Sequence, residues 1–301
     1  MIALIIGLVT WQWSLLADRF PMAPRTVALH AEPIAIAPGA VAPLRLAGAW
    51  RLTAPDARFG GLSALAIDRG GLLAQNDSAV LYRFPRPGTG PARVAISELP
   101  DGPGSAHLKV DRDSESLARD PFGRGWWVGF ETNNQLWLYD RDFRKALGRI
   151  DLGAARWPKN LGIEAMLAEP TGLTLVPERA HEVVHVANRR AVSESLSGVG
   201  SNISDVVRLP DGEIIVLTRD LGLTGVRTAL GALVRGPSGW RVERRVPLDV
   251  GRFMNLEGLT AEPLAGGGTR LWLVTDDNFQ KPMETALFAL DVAPGRWGGA
   301  D

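Results

Sequence analysis

Short apolar runs separated by turns rich in glycine, proline and aspartate recur along most of the chain; examples are residues 71–76, 125–130 and 271–275. The runs contain β-branched and aromatic residues and end abruptly at turn residues, which predicts strands rather than helices. The content of 34 glycines and 21 prolines agrees with many short strands joined by turns. The pattern therefore predicts an all-β protein.

A group of three such runs returns five times. The first run of each group carries one marker residue, and the markers are Ser63, Glu115, Glu164, Asp205 and Glu257. They lie 52, 49, 41 and 52 residues apart, which is the period of a four-stranded propeller blade. We expect a β-propeller with five countable repeats, and a sixth repeat of diverged sequence is also compatible with the pattern. The alternative is a β-sandwich whose spacing is coincidental.

The fifth group lacks a fourth run after residue 291, whereas an apolar run at residues 44–52 precedes the first group. We predict that this N-terminal strand closes the ring, because closure removes an open sheet edge. Residues 44–292 then form the propeller domain, and residues 293–301 form a tail.

The first sixteen residues are almost uninterruptedly apolar, and residues 18–43 are rich in proline and alanine. The apolar stretch has the length of a signal-peptide core and is short for a full membrane span. No basic residue precedes it and no clean cleavage site follows it, so a buried N-terminal strand or helix is the alternative. We interpret residues 1–17 as a signal peptide or membrane anchor and residues 18–43 as a linker. The expected location is periplasmic or extracellular, with the N-terminal segment as the only membrane attachment.

Charge and cysteine content exclude several classes of function. The 33 basic and 33 acidic side chains balance, so no overall field favours nucleic acid as a partner. The chain has no cysteine, which excludes disulfides, thiolate metal sites and a cysteine nucleophile.

The marker carboxylates are the first candidates for chemistry. The first strand of a propeller blade lines the central channel, so Glu115, Glu164, Asp205 and Glu257 should converge there. Carboxylates gathered in this way repel one another unless a cation neutralises them. Oxygen ligands without cysteine or paired histidine indicate Ca²⁺ or Mg²⁺. The alternative is that each carboxylate bonds to backbone groups or is solvated.

The ends of the second runs should lie at the same face of the ring. They carry acidic and amide side chains, namely Asp77, Glu131, Asn133, Asp220, Asp276, Asp277 and Asn278. Such residues are common in turns, so each of them is a weak signal alone. Basic residues lie near these ends, and Arg219 and Lys281 are the candidates for holding a phosphate or carboxylate group.

One motif is rejected. His181 and His185 match the zinc-protease spacing, which requires a helix to place both side chains on one face. This segment contains adjacent valines and falls at the third-strand position of its repeat. A serine nucleophile elbow is also absent from the sequence.

Five segments carry a family resemblance, and they are residues 60–65, 113–117, 160–166, 255–259 and 271–279. They resemble the phytase-like, "esterase-like activity of phytase", family of bacterial propellers over roughly residues 44–292. The resemblance implies an exported propeller with phosphoester or ester hydrolase activity. The chain lacks the Asp-Ala-Asp-Asp-Pro-Ala signature of the calcium-dependent propeller phytases, so phytate is not the expected substrate.

Three functions remain open. The first is a Ca²⁺-dependent hydrolase of a small phosphorylated or ester substrate, in which the four marker carboxylates hold the ion. Asp276 or Asp277 would then orient water, and Arg219, Lys281 and Asn278 would contact the substrate. The second is a non-enzymatic binding propeller with a structural Ca²⁺, and the third is a lactonase-type hydrolase. Fold alone does not choose among them.

Overall fold

The structure is a computed structural model that describes residues 21–88, 91–153, 157, 162–179, 181–222, 225–295 and 297. Its regular structure is almost entirely β, with one short 3-10 helix at Lys109–Asp111. The prediction of an all-β protein is confirmed. None of the helices in the described part of the chain has the length and apolarity needed to cross a membrane. The predicted signal peptide or anchor, residues 1–17, lies outside the described residues.

Twenty-one strands are described, and in chain order they are β1 (Arg25–Pro33), β2 (Arg45–Thr53), β3 (Leu62–Asp68), β4 (Gly71–Asn76), β5 (Val80–Phe84), β6 (Ala92–Glu98), β7 (Ser114–Arg119), β8 (Gly125–Phe130), β9 (Gln135–Asp140), β10 (Ala146–Asp151), β11 (Ile163–Glu169), β12 (Gly172–Pro177), β13 (Glu182–Ala187), β14 (Arg190–Ser197), β15 (Asn202–Arg208), β16 (Ile214–Gly222), β17 (Gly225–Gly236), β18 (Gly239–Leu248), β19 (Leu256–Pro263), β20 (Thr269–Thr275) and β21 (Ala286–Val292).

These strands form the five blades of a β-propeller within the described part of the chain. Blades 1 to 4 are antiparallel sheets of consecutive strands, β3–β6, β7–β10, β11–β14 and β15–β18. Blade 5 consists of β19, β20 and β21, with β2 as its fourth and outermost strand. The predicted ring closure by an N-terminal strand is therefore confirmed, and the described residues form no sixth blade.

The segment interpreted as a linker, residues 18–43, contains a strand. β1 pairs with β6 of blade 1 through Arg25 to Leu29 and with β2 of blade 5 through His30 to Pro33. The linker interpretation is therefore wrong for Arg25–Pro33. This segment spans two blades from outside, and each half finds a different partner strand. The predicted tail also contributes to packing, because Trp297 is buried between blades 4 and 5.

Each interface between neighbouring blades has its own hydrophobic core. Five clusters of buried side chains are found among the described residues, one for each pair of adjacent blades. Successive side chains of a strand point to opposite faces, so Leu72 packs towards blade 5 and Leu73 towards blade 2. Strands buried on both faces are apolar throughout rather than alternating. This explains the uninterrupted apolar runs in the sequence.

The innermost strands β3, β7, β11, β15 and β19 contact one another in a closed ring around the axis. Each of them has a β-bulge near its first residue, where one extra residue is inserted opposite the second strand. A bulge redirects the inserted side chain and ends regular pairing. The five bulges therefore turn five side chains towards one end of the channel.

Ring closure should determine whether the propeller folds. A chain starting at residue 55 lacks β1 and β2, which leaves β21, buried along its whole length, as an exposed edge. An open apolar edge promotes aggregation, so we expect no cooperative thermal unfolding and soluble aggregates on gel filtration. The matched control starts at residue 21 and keeps both strands. Cooperative unfolding of the shorter chain at the control's temperature would contradict this role for β2.

Candidate functional site

Three positions recur in every blade at the end of the channel where the innermost strands begin. The bulge position holds the inserted residue of the innermost strand, and its five members are Ser63, Glu115, Glu164, Ser204 and Glu257. The entry position is two residues before the bulge position, and its members are Gly61, Asp113, Gly162, Asn202 and Asn255. The rim position lies opposite the entry position, immediately after the second strand or, in blade 4, within it, and its members are Asp77, Glu131, Glu178, Arg219 and Asp276.

Backbone hydrogen bonds hold each rim residue beside the entry residue of the same blade. The N–H of Glu131 donates to the carbonyl of Asp113 at 2.8 Å, and the N–H of Asp276 donates to the carbonyl of Asn255 at 2.9 Å. Glycine is required at one entry position, because a Cβ on Gly162 would lie 2.6 Å from the Glu131 carbonyl oxygen. The Gly162 N–H instead donates to the Glu131 carboxylate at 3.1 Å.

These positions enclose an axial cavity of about 280 Å³. Eight carboxylates line it, and they are Asp77, Asp113, Glu115, Glu131, Glu164, Glu178, Glu257 and Asp276. The cationic side chains in its lining are Lys109 and Arg219. Carboxylates outnumber cations four to one, so charge repulsion dominates the chemistry of this cavity.

Arg219 neutralises one side of the axial cavity. It occupies the rim position of blade 4, where the other four blades have a carboxylate, and its side chain is 14% exposed. Its guanidinium bonds to Glu257 and, at 3.2 Å, to Glu164. Asn255 also donates to Glu257 at 2.7 Å. This side of the cavity is therefore a largely satisfied ion-pair network.

The opposite side, formed by blades 1 and 2, has less positive charge. Asp77, Asp113 and Glu115 each place one carboxylate oxygen within 4.8 Å of the others, close enough to hold one metal ion. The Lys109 ammonium lies 3.0 Å from Asp77 and also bonds to Asp113. Glu115 accepts no hydrogen bond from the described residues. We call Asp77, Asp113 and Glu115 the carboxylate triad.

Burial and mutual repulsion shift the pKa of several carboxyl groups. Burial raises the pKa of Glu164 to about 8, although the Arg219 guanidinium acts in the opposite direction. Burial and the charge of Asp77 raise the pKa of Asp276 to about 7. Burial and the charge of Glu164 also raise the pKa of Glu115 and of Glu131 well above the usual value. Without a cation, part of this cavity is protonated near neutral pH.

The structure brings most of the candidate residues together. Glu115, Glu164, Glu257, Asp276, Asn278 and Arg219 all line the axial cavity. Asn278 lies at the rim, where its backbone N–H donates to Asp276 at 2.6 Å. Arg219, predicted to bind substrate, is bound instead to carboxylates of its own chain.

Asp205 is a correction, because it does not line the cavity. The inserted residue in β15 is Ser204, so Asp205 is one position out of phase with the other markers. A shift of one residue along a strand moves the side chain to the opposite face. The Asp205 carboxylate accepts hydrogen bonds from the N–H groups of Val206 and Leu259, at 2.7 and 2.6 Å. It therefore joins blades 4 and 5.

Asp277 and Lys281 also lie outside the cavity lining. The Asp277 carboxylate accepts bonds from the Gly61 N–H and from the Thr285 hydroxyl, both at 2.9 Å, so it fastens blade 5 to blade 1. Gly61 has a φ of +63°, and a Cβ there would lie 2.8 Å from the Phe279 ring. Lys281 is exposed in the same loop.

Sequence reasoning missed Lys109, Asp113, Glu178 and Asn255 as lining residues. Asp113 and Asn255 share the entry position, and Glu178 shares the rim position with the carboxylates noted after the other second strands. Aligning the repeats on the bulges would have found these three. Lys109 belongs to the connection between blades 1 and 2, outside the repeated strands, so no periodic signal marks it.

The rejected zinc motif is a strand in the structure. His185 lies in β13 and His181 immediately before it. Residues four apart in a strand are about 13 Å apart, too far to bind one ion together. The His185 ring instead contacts the Thr174 hydroxyl and the Thr171 carbonyl, at 3.4 and 3.2 Å.

The sequence pattern of the phytase-like family, described as esterase-like activity of phytase, matches residues 57–279. That range is about three quarters of the chain and contains every charged residue that lines the axial cavity. The chain belongs to the phytase-like family. The predicted resemblance is thereby confirmed, and the carboxylate triad is part of this phytase-like propeller.

One of two similar solved structures supports the fold of this phytase-like chain. Glutaminyl cyclase from Myxococcus xanthus is similar with a TM-score of 0.54 and 12% identity, covering 83% of this chain and 97% of that chain. Virginiamycin B lyase from Staphylococcus aureus has a TM-score of 0.46 and 10% identity, covering 90% and 100%. At such low sequence identity, the similarity to glutaminyl cyclase shows the fold alone, and neither similarity is evidence about activity. No curated protein sequence matches the chain.

Arg219 should be essential for stability. Changing Arg219→Gln leaves Glu164, Glu178 and Glu257 without their cation, and we expect a loss of about 3–5 kcal/mol in the free energy of unfolding at neutral pH. Urea denaturation measures it. The matched control is Arg227→Gln, whose partner Asp220 is 46% exposed and whose loss should stay below about 1 kcal/mol. Equal losses for the two variants would contradict the network.

The metal-free protein should lose stability as the pH rises. Glu164 and Asp276 have folded-state pKa values of about 8 and about 7, above the value near 4 in the unfolded chain. The folded state then binds more protons, so the free energy of unfolding falls between about pH 4 and about pH 8 and levels off above. Urea denaturation in chelator across this range tests it, with a Glu164→Gln/Asp276→Asn variant as the control of smaller slope. Stability that rises with pH would refute the assignment.

Proposed function

We propose that this phytase-like propeller is a metal-dependent hydrolase of small phosphoric esters, acting in the axial cavity. The observation that carries the proposal is the carboxylate triad, in which side chains from two blades meet within reach of one cation at a solvent-accessible cavity. Family membership supports hydrolysis of an ester. The proposed metal is Ca²⁺, because the triad offers only carboxylate oxygens, the ligands that this hard ion prefers.

The donor set fits such an ion. Asp77, Asp113 and Glu115 supply three carboxylates, and Glu115 accepts no hydrogen bond from the described residues that would compete for its oxygens. An ion bound there would polarise a phosphoryl oxygen and lower the pKa of a bound water molecule.

Asp276 is the candidate proton carrier. Its Oδ1 accepts the Asn278 N–H at 2.6 Å, while Oδ2 accepts no hydrogen bond from the described residues. Its pKa of about 7 allows Oδ2 to take up and release a proton at neutral pH. We assign Asp276 the role of accepting a proton from the attacking water and Asn278 the role of orienting the Asp276 carboxyl.

Charge explains why the proposed activity depends on metal. With every group ionised, eight carboxylates and two cations give the axial cavity a net charge of −6. A phosphoric ester is itself an anion and would be repelled from such a site. A bound divalent cation lowers this repulsion and offers the phosphate a direct positive partner, whereas Arg219 is already paired with Glu164 and Glu257 and is not available for phosphate.

One observation favours a second candidate, a neutral ester or lactone as substrate. Both cationic side chains in the described lining of the axial cavity are bound to carboxylates, Lys109 to Asp77 and Asp113, and Arg219 to Glu257. A neutral carbonyl substrate requires no cation beyond the metal. The same triad and the same Asp276 would then act on an acyl ester.

The test is hydrolysis of a panel of phosphomonoesters, neutral esters and lactones, with added Ca²⁺ and again with a chelator. We expect phosphate release that disappears on chelation. Glu115→Gln should reduce it by more than the roughly tenfold loss that follows removal of an outer partner of a metal ligand. The matched control is Glu243→Gln on the outermost strand of blade 4, which should keep full activity.

The remaining outcomes separate the alternatives. Turnover of lactones or neutral esters without phosphate release would establish the second candidate. Ca²⁺ binding with no turnover of any substrate, by protein shown to be folded, would contradict both hydrolase assignments and indicate a binding propeller with a structural ion.

A further inference from the structure

We propose that Lys109 is a displaceable internal counter-ion, whose ammonium holds the carboxylate triad in the metal-free protein and leaves it when a divalent cation binds. The inference rests on the metal site of the proposed function. It adds a residue that sets the metal affinity of that site and that is then free to face an anionic substrate.

The Lys109 ammonium lies beside carboxylates of the triad. Lys109 Nζ lies 3.0 Å from Asp77 Oδ2 and bonds to Asp113 Oδ1, so it bridges two of the three residues of the carboxylate triad. Its side chain is only 13% exposed. The ammonium therefore lies against two of the three carboxylates that a metal cation would bind.

The Lys109 ammonium and a metal cation cannot bind the same carboxylate oxygens at the same time. Ca²⁺ binds carboxylate oxygens at about 2.3–2.6 Å and uses six to eight of them or of other oxygen donors. An ammonium held at hydrogen-bond distance from the same Asp77 and Asp113 oxygens would contact the ion and repel it. Metal binding and the Lys109 ion pairs are therefore mutually exclusive.

The Lys109 side chain can leave the carboxylate triad while its backbone stays in place. Lys109 begins the 3-10 helix Lys109–Asp111 in the connection between blades 1 and 2. This connection is fastened to blade 2 and braced internally, because Asn133 donates to the Val110 carbonyl at 3.3 Å and Arg112 donates to the Pro103 carbonyl at 3.0 Å. A lysine side chain has four rotatable carbon–carbon bonds, and rotation about them can move the ammonium towards the cavity mouth.

Arg219 and Lys109 hold their carboxylates in different ways. Arg219 bonds to carboxylates through two nitrogens and bridges Glu164 and Glu257 of different blades, so its fork holds a fixed geometry. Lys109 is a point charge on a flexible stem. The axial cavity thus combines one permanent counter-ion with one that an incoming cation can replace.

The first experiment measures Ca²⁺ affinity by isothermal titration calorimetry on the full chain. Lys109→Met should tighten binding by about tenfold, a coupling of ordinary size between two sites. Lys109→Arg keeps the charge and should not tighten it. The matched control Lys145→Met removes an exposed lysine of the turn before β10 and should leave affinity unchanged. In chelator, Lys109→Met should also melt at a lower temperature than the original chain.

The second experiment follows displacement in the unaltered protein, so it does not depend on a variant that folds. Reductive methylation with mass spectrometry reports the reactivity of each lysine amine. Lys109 should be protected in chelator and become reactive in saturating Ca²⁺, whereas Lys145 should react equally in both.

The two proposals fail in different ways. Ca²⁺ binding with Lys109 still protected, or with an affinity that Lys109→Met leaves unchanged or weakens, overturns the counter-ion role and leaves the metal site intact. Absence of Ca²⁺ binding by both the original chain and Lys109→Met overturns the metal site together with this inference.

Discussion

Repulsion among eight carboxylates in one small cavity is the constraint on which the rest of this structure depends. A cavity of about 280 Å³ cannot hold that much like charge unless protons, cations or both offset it. Protons and cations offset the negative charge in different parts of the axial cavity. Arg219 forms ion pairs on one side, the raised pKa of Glu164 and Asp276 retains protons, and Lys109 covers the carboxylate triad.

The propeller supplies a fivefold repeated frame, and departures from the repeat make the site. At the rim position four blades have a carboxylate and blade 4 has Arg219; at the bulge position three blades have glutamate and two have serine. A fully regular ring would spread charge evenly around the axis. The substitution in blade 4 instead leaves blades 1 and 2 as the acidic side, where the triad lies.

The sequence allows the fold to be predicted more completely than the site. The missing fourth run of blade 5 was enough to predict closure by β2, because an open edge is costly. β1 was missed because its two halves pair with different strands, so no neighbouring run signals it. Asp205 was misplaced because bulges shift the phase by one residue, and ion pairs of Arg219 across the channel depend on three-dimensional distances that periodicity does not contain.

Closure by β2 has a consequence for how the protein is made. The strand that completes blade 5 is synthesised before blade 1, while its partner β21 follows more than 230 residues later. Until then the first and last blades each lack a neighbour on one side, and apolar faces that the closed ring buries remain in contact with solvent. Contacts between residues so distant in the chain slow folding. The ring is therefore complete only once β21 pairs with β2, and the carboxylates of blade 5 then join those of blade 1 around the axis.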